Sequence, residues 1–336
     1  MPTIADASVQ LIVTSPPYPM IAMWDRAFGE MNPKIAQLLE EERGNDAFNA
    51  MHEELNHCWR ECYRTLIDGG LACINIGDAT RSMGGQFALY PNHAAIVTAL
   101  QSIGFTILPD ILWRKPSNAP NKYMGSGMLP AGAYVTYEHE YVIIARKGGK
   151  RIFKTAEEKS NRRRSAFFWE ERNAWFSDLW QGLTGSRQKM GPKGPRERSA
   201  AFPLDLPQRL ILMHSVYGDT VLDPFLGTGT TAAAAMRNGR NSIGIERTKE
   251  LETDIENRLA ECLSSSKTAL ENRIDKHTRF IESRIAMGKI PKHHNDSLET
   301  PVITKQEREL SLSIPRELKA CGENRRICSH VYWTTS

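Results

Sequence analysis

No stretch of about 18 consecutive apolar residues occurs in this 336-residue chain, so no helix is expected to cross a membrane. The N-terminus lacks a basic region followed by an apolar stretch, so no secretory signal is expected. Cysteine is scarce: six residues (Cys58, Cys62, Cys73, Cys262, Cys321, Cys328) are too few for a disulfide scaffold of this length. A reducing cytoplasm is the expected setting. No Cys-x-x-Cys occurs, so neither His52, His57, Cys58 and Cys62 nor Cys321, Cys328 and His330 has strong metal-site spacing, and no metal is expected. Gly-Lys-Ser/Thr is also missing, which argues against a loop that grips nucleoside triphosphates.

What is present suits a folded chain. Apolar residues make up 40% and charged residues 24%, neither disordered nor fibrous in proportion. The length suggests about two domains, or one large domain with an insertion. The net charge of +4 hides an asymmetry. Residues 146–198 hold fifteen Lys/Arg against six Asp/Glu, so the remainder is net acidic. One basic segment on an acidic body is the footprint of a polyanion partner, although charge alone equally fits a solvated loop.

The order of elements points to an α/β fold. A strand over 9–13 runs into Thr14-Ser15-Pro16-Pro17-Tyr18, where two prolines end sheet pairing. Apolar residues at three- and four-residue spacings predict a helix over 46–67, stopped by Asp68-Gly69-Gly70. A strand (71–76), a helix (92–103) with Gly104 as its stop, and strands over 105–113 and 140–145 follow. The segment 146–198 has no clear period and reads as an irregular insertion. Then come a helix (206–215), a strand (220–222), a glycine loop, a helix (232–237), a strand (242–246) and a helix (249–263). The alternation predicts a doubly wound, mostly parallel sheet with helices on both faces. The expected division is 1–145 and 199–263 as two halves of one domain, 146–198 as an insertion, and 264–336 as a polar extension, partly helical or disordered.

The glycine loop, Asp223-Pro224-Phe225-Leu226-Gly227-Thr228-Gly229-Thr230-Thr231, joins a short apolar strand to a helix. Gly227-Thr228-Gly229-Thr230-Thr231-Ala232 fits the Gly-x-Gly-x-x-Gly/Ala nucleotide fingerprint. Glycines let backbone approach a ligand closely, and Glu246 at the next strand's end can accept from a ribose diol. Alone, the glycines also fit a tight strand–helix turn. Asp223 tips the balance: an acid there repels a pyrophosphate and suits a cation. S-adenosyl-L-methionine carries a sulfonium and an ammonium, so it is the expected guest.

Together, the Thr14–Tyr18 loop and the Asp223–Thr230 loop resemble the beta group of DNA amino-methyltransferases from restriction–modification systems, in which the catalytic loop precedes the cofactor loop. Further matching stretches are Leu66-Ile67-Asp68-Gly69-Gly70, Ile111-Leu112-Trp113-Arg114-Lys115-Pro116, Glu138-His139-Glu140-Tyr141-Val142 and Ala201-Phe202-Pro203-Leu204-Asp205-Leu206-Pro207, spanning about 9–263. The resemblance implies a methyltransferase fold with circularly permuted motif order. It also implies methyl transfer to the exocyclic amine of cytosine (N4) or adenine (N6). Ser15 Oγ and the Pro16 carbonyl would hold the amine's hydrogens, Pro17 would stiffen the loop, and Tyr18 would stack on the extruded base, for which the ring suffices. Thr14, Phe202, Pro203, Asp223, Pro224, Phe225, Gly227, Thr228, Gly229, Thr230 and Glu246 would hold the cofactor.

In this family Ser-Pro-Pro-Tyr goes mainly with N4-cytosine. No cysteine follows a proline, which argues against the thiolate chemistry of C5 methylation. Arg162, Arg163, Arg164, Lys189 and Lys193 are the candidate contacts to duplex DNA in a target-recognition insertion. A cognate endonuclease would be a functional partner, the setting a prokaryotic cytoplasm and its nucleoid, and the chain a monomer or homodimer. Asp78 is expected either to shape the base pocket or to cap a turn. Family members often carry a Gly-Asp strand about twenty residues before the catalytic loop. Only 13 residues precede Thr14, so that wall is expected to be missing or supplied differently, as a misassigned start would make it. Two rivals stay open: a methylase of another planar amide, and a non-catalytic DNA-binding relative.

Overall fold

Apolar side chains that alternate with period two build the frame of the molecule. In strand β1 (Val9–Thr14), Leu11 and Val13 enter one core cluster and Ile12 the other. Strand β2 (Leu66–Ile76) divides Cys73 from Ile74 and Ile76 in the same way. Burial on both faces is what a parallel sheet between two helix layers requires. The computed structural model describes residues 1–115, 124–183, 202–322 and 325–333.

The other strands of the main sheet are β3 (Phe105–Arg114), β4 (His139–Lys147), β5 (Leu179–Trp180), β6 (Thr220–Asp223) and β7 (Asn241–Gly244). Among the described residues they form a seven-stranded sheet in the order β7-β6-β1-β2-β4-β3-β5. Only β4 runs antiparallel to its neighbours. Helices α1 (Gly44–Thr65) and α2 (Asn92–Ile103) cover one face. Helices α5 (Asp205–His214) and α6 (Thr230–Arg237) cover the other. The predicted alternation is therefore the observed fold.

Helix α1 ends at Thr65, before the predicted glycine stop, and β2 begins at once. Gly69 lies inside β2 with φ +82°, and a Cβ there would collide with the Arg151 backbone. The pair Gly69-Gly70 thus makes a bulge, and the β1–β2 register slips between Val9 and Leu11.

Two short helices, α3 (Ala156–Arg164) and α4 (Trp169–Trp175), fall within 146–198, the segment expected as an insertion, and β5 of the same segment joins the main sheet. Helix α7 (Glu252–Ala286) is one 35-residue rod, where the sequence predicts a helix that ends at 263 and a partly helical or disordered extension beyond it. The serines do not break it, because Ser265 and Ser266 donate their hydroxyls back to the carbonyls of Glu261 and Cys262. Beyond it lie two hairpins, His293–Asn295 with Thr300–Val302, and β8 (Ser313–Ala320) with β9 (Arg326–Tyr332). Leu298, Val302, Leu310 and Leu312 bury against Phe168 of the insertion and Leu270 of α7. Arg273 makes a bidentate pair with Glu171 (2.6 and 2.7 Å), and His277 stacks on Phe168. The tail and the insertion are thus packed together.

Candidate active site

Strands β1 and β6 are parallel neighbours whose chain connections leave in opposite directions across the sheet. A crevice opens beyond their C-terminal ends at such a switch point, and both sequence loops start there. Thr14 Oγ1 donates to Asp223 Oδ1 (2.6 Å), tying the two loops together. The Phe225 N–H donates to the same oxygen (3.0 Å). Asp223 is 3% exposed. Burial pushes its carboxyl up to about 6 against the pull of the Thr14 and Thr231 hydroxyls and the Phe225 N–H, and Glu246 adds to the rise. Asp223 is therefore a clamp behind the loop rather than a group lining its surface. Its charge can act on a cation only through the field.

Gly227 has φ +53°, and a Cβ there would meet nothing closer than the Phe225 carbonyl at 4.0 Å. The absent side chain faces open space, as close approach by a ligand requires. Glu246 lies two residues past β7 and accepts from the N–H groups of Gly227 and Thr248, both at 2.8 Å. Gly229 (φ +82°) turns the chain into α6, where Thr230 and Thr231 are buried. Phe225 packs edge-on against Trp59 of α1. Pro224 and Pro203 are buried, and Phe202 enters the core at the start of α5. Thr228 is half-buried on the loop.

The catalytic loop is held by a second network. Ser15 Oγ donates to Tyr18 OH (3.2 Å), and Tyr18 OH donates to Glu140 Oε2 (3.0 Å). Asn75 Nδ2 donates to both Tyr18 OH (2.9 Å) and Glu140 Oε2 (2.7 Å). Lys115 Nζ holds the other oxygen of Glu140 at 2.8 Å. Burial, and next the Glu140 carboxylate, push the Tyr18 phenol far above its ordinary value, so it keeps its proton. A Cβ on Gly77 would lie 3.1 Å from the Tyr18 ring and 3.2 Å from Glu140 Cγ, so Gly77 makes room for both. Asn92, fully buried, donates to the carbonyls of Pro19 (3.1 Å) and Gly77 (3.0 Å) and accepts from His52 Nε2 (3.0 Å). Burial pushes His52 down to about 4, which leaves it neutral. Asp78 accepts from the His93 N–H, the His93 ring and Tyr137 OH. It anchors the start of α2 from a buried position.

The sheet thus brings Thr14, Ser15, Pro16, Pro17 and Tyr18 to the same edge as the glycine loop. It does not bring Arg162, Arg163 and Arg164 there. Strand β4 runs the other way, so its last residue, Lys147, sits beside Phe105 at the sheet's N-terminal edge. Arg151 then pairs with Asp219, just ahead of β6 (2.6 Å). Helix α3 follows at that far edge, where Asn161 donates to the Tyr217 carbonyl. Arg162 lies over Phe153, Arg163 pairs with Glu309, and Arg164 lies over Tyr332. The triplet braces the insertion and the tail instead of flanking the catalytic loop. Lys189 and Lys193 lie outside the described residues. Trp169 stacks on Phe280, and Trp175 packs with Phe167, both inside the insertion–tail unit.

Asn75, Lys115 and Glu140 had no role in the sequence reading. Lys115 and Glu140 lie in stretches that carry the resemblance, but only the β2-β4-β3 order shows that they meet.

Comparison with known proteins agrees with this geometry. Residues 9–257 match the family described as DNA methylase. Type II methyltransferase M.MthZI of Methanothermobacter thermautotrophicus is 50% identical over 96% of this chain and 90% of its own length. Type II methyltransferase M.MjaI of Methanocaldococcus jannaschii is 50% identical over 77% of this chain and 88% of its own. Among solved structures, the DNA modification methylase TTHA0409 of Thermus thermophilus, complexed with S-adenosyl-L-methionine, superposes with a TM-score of 0.60. It is 31% identical, over 78% of this chain and 89% of that one. PvuII DNA methyltransferase, a cytosine-N4-specific enzyme, shares the fold at 19% identity (TM-score 0.54).

Proposed function

Because this chain belongs to the DNA methylase family of S-adenosyl-L-methionine-dependent N4/N6 amino-methylases, we propose that its target is the N4 amine of cytosine in duplex DNA. The observation that carries the reading is Ser15: a neutral hydroxyl oxygen, with its proton committed to Tyr18, heads a Ser-Pro-Pro-Tyr loop of the kind that in this family goes mainly with N4-cytosine, as Asp-Pro-Pro-Tyr goes mainly with N6-adenine. Marking host DNA against a cognate endonuclease is the biological role that follows. A monomer or homodimer would serve it.

The residues present suit the cofactor. Gly227 leaves open space on the loop and Glu246 offers a carboxylate beside it. Thr14, Phe202, Pro203, Pro224, Phe225, Thr228, Gly229 and Thr230 would shape the walls, and Asp223 would lend negative charge from behind. When bound, S-adenosyl-L-methionine supplies a methyl group on a sulfonium.

The chain's own work is to make the amine reactive. The cytosine N4 lone pair is delocalised into the ring. Ser15 Oγ and the Pro16 carbonyl accept its two hydrogens and turn the nitrogen toward tetrahedral geometry, which frees the lone pair. Pro16 and Pro17 set those directions in advance, so the gain is one of preorganisation. Tyr18 stacks on the extruded base. DNA approaches on the C-terminal edge, where Phe87 and Tyr134 stack at 4.8 Å and are both exposed.

Ser15→Ala tests the reading. It removes one preorganised acceptor and is expected to lower turnover roughly 10²–10³-fold with little change in cofactor affinity. Wild-type turnover in this variant would remove Ser15 from the chemistry.

A further inference from the structure

A hydroxyl that holds an amine hydrogen must offer a lone pair, so the place of its own proton matters. Around Ser15 that place is dictated by its neighbours. Lys115 Nζ and Asn75 Nδ2 can only donate, and they approach the two oxygens of Glu140 at 2.8 and 2.7 Å. Asn75 Nδ2 also donates to Tyr18 OH at 2.9 Å. The Tyr18 proton has two oxygens within reach, Glu140 Oε2 at 3.0 Å and Ser15 Oγ at 3.2 Å, and the nearer, charged carboxylate takes it. With that proton spent, the remaining neighbour of the phenol oxygen, Ser15 Oγ at 3.2 Å, has to donate.

We infer that Glu140 is a positioning residue for methyl transfer: its carboxylate fixes the direction of the hydrogen bonds from Ser15 through Tyr18, so that Ser15 Oγ meets the target amine as an acceptor only. The inference rests on the role of Ser15 argued above. It gives the Tyr18 hydroxyl a part that stacking does not need. It also explains why a carboxylate only 12% exposed is kept beside the loop, held by an ammonium and an amide. Glu140 comes from β4, which runs antiparallel to its neighbours in the main sheet and so enters it at the catalytic edge.

Glu140→Gln keeps the size and reverses the polarity. Its carbonyl oxygen would stay on Lys115, and its amide would offer only donors to Tyr18 and Asn75, whose bonds the carboxylate now accepts. The phenol proton would then swing to Ser15, whose own proton would point at the base. The expected result is a kcat lower by about 10- to 100-fold, with KM for DNA and Kd for S-adenosyl-L-methionine changed by less than about twofold. Tyr18→Phe cuts the same chain while Glu140, Asn75 and Lys115 stay bonded to one another, so it should lower kcat comparably. In that background, adding Glu140→Gln should cost less than about twofold more, since the link is already cut.

A merely structural Glu140 predicts independent effects that multiply. Full multiplicativity, or wild-type kcat in Glu140→Gln, would overturn the inference. If Glu140→Gln does not fold, Tyr18→Phe decides alone: wild-type kcat there overturns the chain, and the drop supports it. Ser15→Ala in the same assay separates the two levels. An active Ser15→Ala removes the premise, whereas an impaired Ser15→Ala beside a fully active Glu140→Gln removes only the role of Glu140.

Discussion

Replacing Asp223 with asparagine separates what the fold needs from what the cofactor needs. The carboxyl is buried, and its pKa is pushed from the ordinary 3.8 up to about 6. Keeping it ionised at neutral pH therefore costs the folded chain roughly 3 kcal/mol. The sign follows from proton binding. Between about pH 4 and 6 the folded chain holds a proton that the unfolded chain has lost. The stability this group contributes is complete below about pH 4 and is lost as pH rises through about 6. Asp223→Asn keeps the fold's acceptor, because Thr14 Oγ1 and the Phe225 N–H both bond to Oδ1. The variant should therefore be more stable than wild type at pH 8, by up to about 3 kcal/mol, and nearly equal at pH 4. Affinity for S-adenosyl-L-methionine should fall, since the charge behind the loop is gone. Urea denaturation of both proteins across that pH range, with calorimetric cofactor titrations at pH 8, measures each quantity. A variant that is less stable at pH 8, or a stability difference that ignores pH, refutes the buried-charge reasoning. Unchanged cofactor affinity refutes the electrostatic role.

Other perturbations divide along the same line. Gly227→Ala should fold with a cost of roughly 1–2 kcal/mol for its left-handed backbone, yet lose cofactor affinity, because the new methyl points into open space; unchanged affinity by calorimetry contradicts it. Gly229→Ala should instead lose more stability, since its Cβ would press on Ile255 at 3.2 Å, and thermal melts of the pair show the contrast. Asn92→Ala strips partners from two buried carbonyls and from His52, at about 1–3 kcal/mol for each group left unsatisfied, and should slow turnover by loosening the Pro19 end of the loop. Changing Arg162, Arg163 and Arg164 together to glutamine should leave DNA affinity and its salt slope nearly unchanged while lowering Tm. A slope flattened by two or more contacts, at about 0.9 per phosphate, would put the triplet back on DNA.

Much of this was legible because local chemistry and fold agree. Helix α2 has its period, and Gly104 supplies the left-handed stop at φ +114°. The two loops follow apolar strands, and parallel pairing of those strands brings them together. Polar segments were less legible. Leu298, Val302, Leu310 and Leu312 are spaced too irregularly to announce a strand or helix, yet they share one core with Phe168. Asp68-Gly69-Gly70 looks like a helix stop because a bulge and a cap demand the same backbone freedom. The place of the arginine triplet was not legible because charge says nothing of which sheet edge a loop leaves from, and the reversed β4 sends it to the far one. Glu140 and Asn75 are 65 positions apart, and no spacing rule joins them.

The central claim is tested most directly by the product. Duplex DNA methylated by the purified protein, digested to nucleosides and analysed by mass spectrometry, should yield N4-methylcytosine. N6-methyladenine as the sole product would contradict the assignment of the target base while leaving fold and cofactor intact. C5-methylcytosine would contradict the mechanism itself, because no thiolate stands at the catalytic loop to form the covalent adduct that reaction needs.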